Sequence, residues 1–153
     1  MTVLGVDLGT RRIGLAVSDA EERIAFPAGT LQSAGRPRDL EALRALVAER
    51  GVTHIVVGLP VHMSGREGPE ARAARAFARE LEEAAGVPVE TLDERWTSLE
   101  AERALRATGG AARRARGGRG KARRAGRGTV DEMAATILLR TFLERQVRPG
   151  APR

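Results

Sequence analysis

The sequence predicts one α/β domain: a mixed sheet fed by a β-hairpin and flanked by helices. Three observations predict it. Apolar residues near the start follow an extended pattern, and from Leu40 onward helical spacing alternates with β-branched runs. At 153 residues and 42% hydrophobic, the chain can build one real core but not a multi-domain assembly.

The elements follow in order. Val3 to Leu8 reads as a strand, Gly9-Thr10-Arg11-Arg12 as a turn, and Ile13 to Ser18 as the second arm of a hairpin. Ile24 to Leu31 is a third extended piece. Leu40, Leu43, Leu46 and Val47 then take helical spacing, and Gly51 stops that helix. Val52 to Leu59 is nearly continuous in β-branched residues, as expected of a strand covered on both faces. After the loop Pro60 to Gly68, Pro69 opens a helix with the stripe Ala73, Ala74, Phe77, Leu81 and Ala84, and Gly86 closes it. Val87 to Leu92 is a short strand. Thr97 and Glu100 form a capping box for a helix to about Ala107, and Thr129 and Glu132 form another for a last helix to about Gln146. Residues 1–146 therefore read as a single domain, with a mobile Gly/Arg-rich loop at 109–128 and a disordered tail at 147–153.

Composition narrows the function classes. With no cysteine, disulfide frameworks, thiol catalysis and cysteine metal sites are excluded. No run of eighteen apolar residues offers a membrane span, and the start MTVLGVDLGT lacks the order of a secretory signal, so a cytoplasmic protein with no membrane partner is expected. The net charge is +6, yet Gly109 to Gly128 alone holds seven arginines, one lysine and no acid, which leaves the rest at −2. A near-neutral globule with one cationic segment points to a polyanion as partner.

Carboxylates in three places stand where structure alone would not put them. Asp7 lies inside the first strand, in phase with Val3 and Gly5, where acids are scarce and a buried unpaired carboxylate is unfavourable. It either hydrogen-bonds the Gly9-Thr10 turn or serves a ligand. Asp93 and Glu94 follow a strand at its carboxyl end, where open α/β sheets bind ligands, although a polar loop with Arg95 pairing one acid is the alternative. Asp131 sits near a helix start, which suits an acid. Stepping on through Ala134, Leu138 and Phe142 places it at the head of the inward face. Carboxylates gathered without His or Cys are the donor set that Mg²⁺ or Mn²⁺ prefers. His54, in a buried strand, and His62, in a loop, do not suggest zinc.

Four blocks, GVDLGTRRIG, VVGLPVHMSGREG, DERWTSLEAE and TVDEMAATILLRTFL, occur in this order over roughly residues 1–146. In that order and spacing they resemble the YqgF family, proteins described as pre-16S rRNA nucleases and Holliday-junction resolvase homologues of the ribonuclease-H-like superfamily. The resemblance implies a five-stranded mixed sheet, three antiparallel strands then two parallel ones. It also implies that Asp7, Glu94 and Asp131 are the catalytic, metal-binding acids, with Mg²⁺ or Mn²⁺ as cofactor. The chain departs from the family pattern at His62, Ser64 and Trp96 and in its glycine-rich segment before Asp131, positions that bear on substrate contact.

Substrate-binding candidates follow from charge and backbone access: Gly9, Thr10, Arg11 and Arg12 in the hairpin turn, Gly58 and Pro60 after the buried strand, Arg95, and Lys121, Arg123 and Arg124 in the cationic segment. Trp96 either stacks a base or fills the core. The expected activity is a divalent-metal-dependent endonuclease acting on pre-16S rRNA or a ribosomal precursor, with a four-way DNA junction as the alternative substrate and a monomer or homodimer as the working form. A DLGT turn also occurs in actin-like ATPases and sugar kinases, but those folds clamp nucleotide between two lobes and this chain supplies one. A binding module without chemistry is the third reading, in which the acids are only structural.

Overall fold

Three strands form an antiparallel meander: β1 (Val3–Leu8), β2 (Arg12–Ser18) and β3 (Ala25–Gln32). Helix α1 (Arg36–Arg50) leads into β4 (His54–Leu59), α2 (Pro69–Ala85) into β5 (Val89–Asp93), and the last helix, α3, spans Ala122–Val147. This computed structural model describes residues 1–62, 64–95 and 122–147. The predicted helix from Thr97, with Trp96, most of the Gly/Arg segment and the end of the tail, lies outside the described residues.

The sheet order is β3-β2-β1-β4-β5. Strand β1 pairs antiparallel with β2 and parallel with β4, and β4 pairs parallel with β5, so the expected three-then-two arrangement is present. Each parallel step is crossed by a helix, as a right-handed crossover requires room for one. The two faces bury different cores. Leu4, Val6, Ile13, Leu15, Ile55 and Val57 meet Leu43, Val47, Phe77 and Leu81 of α1 and α2. On the opposite face Val3, Ala16, Val56 and Leu92 meet Ala135, Leu138, Leu139 and Phe142 of α3. Every β4 residue from Ile55 to Leu59 is buried, as its continuous apolar run predicts.

Gly51 and Gly86 close α1 and α2 in the left-handed region, at φ 63° and 70°, where a residue with a Cβ is strained. Two helix starts differ from the sequence reading. Helix α1 begins at Arg36, a turn before its apolar stripe, because Pro37 suits the first turn and buried Asp39 accepts from Ser33 Oγ (2.6 Å) and the Ala34 amide (2.9 Å). Helix α3 begins at Ala122, ahead of the Thr129 cap, so the end of the segment expected to be loop is helical. The alanines and arginines there favour helix and offset the two glycines they enclose.

The packing carries its own prediction. Leu43 is fully buried between α1 and the sheet, so Leu43→Ala should lower unfolding free energy by about 3 kcal/mol in urea titration. Phe26, 47% exposed on β3 at the sheet edge, should tolerate Phe26→Ser within about 1 kcal/mol.

Candidate active site

The carboxyl ends of β1, β4 and β5 converge on one side of the sheet, under the first described turns of α3. Asp7 lies near the end of β1, directly opposite Gly14 of β2. Its phase with Val3 and Gly5 turns it to the α3 side. Glu94 follows β5, and its amide donates to the Leu59 carbonyl at 2.9 Å, so the ladder against β4 runs one residue past the strand. The Glu94 side chain lies over Gly58, where an added Cβ would come within 2.9 Å of Oε1 and 3.4 Å of Leu138 Cδ2. Glycine there leaves the carboxylate its space.

Asp7 and Glu94 are hydrogen-bonded to each other, and the bond has a direction. Burial pushes Asp7 above its ordinary value, the bond from Glu94 pulls it down, and the charge of Asp131 pushes it up again. Glu94 is pushed from 4.5 to about 7, first by burial, then by the charge of Asp7 and their shared bond, with Asp93 adding to it. Glu94 thus holds the proton and donates it to Asp7. The two titrate as one dyad, because like charges this close cannot both ionise cheaply.

Asp131 is half-buried on α3 and close enough for Asp7 to feel its charge. The backbone of Asp131 lies on Gly14, the residue paired with Asp7. The three acids singled out in the sequence therefore share one side of the sheet, and two of them touch. As the side chains stand, no group of three His, Cys, Asp or Glu among the described residues closes tightly enough to hold a metal ion. The donor chemistry still fits a hard divalent cation: two partly buried carboxylates share one proton, which a cation could replace, and a third acid lies within electrostatic reach.

The remaining candidates divide. Arg95 is drawn onto Asp93, its amide donating at 2.9 Å, Nε at 2.8 Å and Nη2 at 2.6 Å. Burial works to raise Asp93, but these bonds and the charges of Arg95 and Arg145 hold it below the usual range. Asp93 is therefore the acid engaged with Arg95. Gly65 covers Arg95, at the tip of a loop closed by a Val61–Glu67 bridge and by the Arg75–Glu67 ion pair. Pro60 begins that loop. In the hairpin turn the Gly9 amide already donates to the Arg12 carbonyl at 2.9 Å, so it is not available to a phosphate. Thr10 and Arg11 are exposed, Arg12 is half-buried, and neither arginine forms an ion pair among the described residues. Arg123 and Arg124 fall on the first turns of α3, and Lys121 lies outside the described residues.

His54, expected in the core, is instead half-buried at the start of β4, stacked on Phe142 with ring centroids 5.8 Å apart and with Nε2 3.7 Å from Glu90 Oε1. Sequence reasoning passed over Gly14. An isolated glycine inside a strand is the usual mark of a close backbone approach, and it could have been singled out on that ground.

A family model described as RuvX, Holliday junction resolvase, matches residues 1–145. The chain belongs to the RuvX family. This is the family to which the four sequence blocks point, there under the name YqgF. A relative from Anaeromyxobacter dehalogenans (strain 2CP-C), provisionally named a pre-16S rRNA nuclease, is 47% identical over 146 residues, 95% of this chain and 98% of its own length. One from Chloroflexus aggregans with the same provisional name is 40% identical over 148 residues, 97% and 96% of the two chains. Among solved structures, Thermus thermophilus RuvC in complex with a Holliday junction superposes with a TM-score of 0.56 at 16% identity, over 96% of this chain and 97% of that one. That likeness establishes the ribonuclease-H-like fold. No helix among the described residues is long and apolar enough to cross a membrane.

Proposed function

We propose that this chain is a divalent-metal-dependent nuclease that hydrolyses phosphodiester bonds in precursors of 16S rRNA. The observation that carries the reading is the proton-sharing pair Asp7–Glu94, with Asp131 close enough to act on it, at the carboxyl ends of adjoining parallel strands. The names of the full-length relatives supply the substrate class.

Asp7, Glu94 and Asp131 would hold Mg²⁺ or Mn²⁺. A bound divalent ion supplies a water acidified towards neutrality and neutralises charge on the phosphate. The protein's own groups do the rest. Glu94 gives up its proton to become a ligand, so loading is favoured above about pH 7. Gly58 leaves room beside Glu94, and the loop over Arg95 borders the same end of the sheet. No protein nucleophile is required, which suits a chain without cysteine or tyrosine. Arg11 and Arg12, with the eight cations of residues 109–128, would track backbone phosphates without reading sequence.

The test is cleavage of a pre-16S rRNA fragment with Mg²⁺ or Mn²⁺, against the same reaction in EDTA. Metal-dependent cuts support the reading, and undiminished cleavage in EDTA contradicts it. If about four of the eight segment cations meet single-stranded phosphates, deleting residues 109–121 should flatten the log–log salt dependence of RNA binding by about 1 to 2 from a full contribution near 3. The family description favours a second reading, a resolvase acting on four-way DNA junctions. That activity needs two sites acting together, so a strictly monomeric protein that leaves junctions uncut excludes it.

A further inference from the structure

The geometry points to Gly14 as the positioning residue that sets how closely Asp131 approaches Asp7. The inference rests on the metallonuclease reading and assigns a role to a residue that holds neither metal nor substrate.

Three observations combine. Gly14 is the cross-strand partner of Asp7, so whatever lies on Gly14 is a neighbour of that carboxylate. What lies on it is the backbone of Asp131: a Cβ added at Gly14 would sit 2.1 Å from the Asp131 carbonyl oxygen, 2.7 Å from its carbonyl carbon and 3.4 Å from its Cα. The atoms in the way are main chain inside a helix, so no side-chain rotation relieves the clash. Helix α3 must retreat by more than about 1 Å to restore van der Waals distance, and Asp131 retreats with it. A displacement of that size is enough to undo a ligand set, since metal and catalytic constellations tolerate about half an ångström.

Further along the same helix, Gly5 supplies an internal control. A Cβ there would meet Leu139 Cβ at 2.9 Å and the Ala135 carbonyl at 3.2 Å. Leu139 is more than two turns from Asp131, so Gly5→Ala disturbs the packing of the helix on the sheet without being aimed at the acids.

The test measures Mn²⁺ affinity by calorimetry on the full chain at pH 7.5, with melting temperature recorded for each protein. Gly14→Ala should weaken Mn²⁺ binding about tenfold or more, in the range seen when a group supporting a metal ligand is lost. Gly5→Ala should melt earlier yet bind within about twofold of the native chain. In the double variant Gly14→Ala with Asp131→Asn, binding should be no weaker than with Asp131→Asn alone, because both changes remove the same contribution. Native-like affinity in Gly14→Ala, equal loss in Gly5→Ala, or additive losses in the double variant would each overturn the role of Gly14 and leave the nuclease reading standing. A native chain that binds no Mn²⁺ overturns both.

Should Gly14→Ala not fold, the native protein decides by paramagnetic broadening. Mn²⁺ should broaden the amide signals of Gly14 and Asp131 together with that of Asp7. Sharp Gly14 and Asp131 signals beside a broadened Asp7 would refute the assignment.

Discussion

Asp7→Asn should reduce cleavage of a pre-16S rRNA fragment about a thousandfold while leaving RNA binding intact or slightly tighter. Asp7 is the acid linked to both others: it accepts a hydrogen bond from Glu94 and feels the charge of Asp131. Replacing it removes the centre of the proposed ligand set, and losing several kcal/mol of charge stabilisation in the transition state corresponds to a factor of that size. Binding should survive because the cations proposed to meet phosphate are other residues, and one repulsive charge has gone. Single-turnover kinetics with a parallel binding titration separates the two effects. Equal loss of cleavage and binding would make Asp7 a structural residue, and unchanged cleavage would leave a binding module whose acids do no chemistry.

The second large effect is a pH dependence of stability in the metal-free protein. Glu94 keeps its proton up to about pH 7 when folded, against an ordinary value of 4.5. Between those values the folded state binds more protons than the unfolded one, so this contribution is fully present below about pH 4.5 and is lost as the pH rises through 7. After discounting for solvent at a partly exposed site, the difference between pH 5 and pH 7.5 should be about 1 to 2 kcal/mol. That corresponds to a Tm about 3 to 6 °C higher at pH 5. Asp7, also raised, acts in the same direction, whereas Asp93 is lowered and titrates below this window. Glu94→Gln should flatten the profile, and the difference between variant and native chain isolates the dyad. At pH 7.5, Mg²⁺ at one hundred times its Kd should restore about 2.7 kcal/mol to the native chain and nothing to Asp7→Asn.

Much of the fold was legible because the period of the apolar residues changes where the elements change. The stretch from Ile55 to Leu59 is apolar apart from one glycine and is buried throughout, and Gly51 and Gly86 mark helix ends that left-handed backbone confirms. The ends of α1 and α3 were less legible. Asp39 holds the start of α1 from within the helix, a contact that depends on where Ser33 and Ala34 turn. Arg123 and Arg124 are as compatible with helix as with coil, so the charge run alone could not place the start of α3.

The site divides in the same way. Phase put Asp7 with Val3 and Gly5 and turned Asp131 to the inward face of its helix, and position after a strand singled out Glu94, but only the fold brings the three to one side. The proton shared by Asp7 and Glu94 was not legible, because it depends on β4 standing between β1 and β5 and on Gly58 yielding space. Choosing which of Asp93 and Glu94 would pair with Arg95 also required the register. With β5 paired so that Leu59 faces Asp93, Asp93 takes the arginine and Glu94 is left towards Asp7.

The measurement that tests the proposed metal site most directly is anomalous diffraction from a crystal soaked in Mn²⁺ above pH 7. The account predicts a manganese peak bound by the carboxylates of Asp7 and Glu94, with Asp131 drawn in as the third acid. A map without manganese there, with the carboxyl groups of Asp7 and Glu94 still paired with each other, would contradict it.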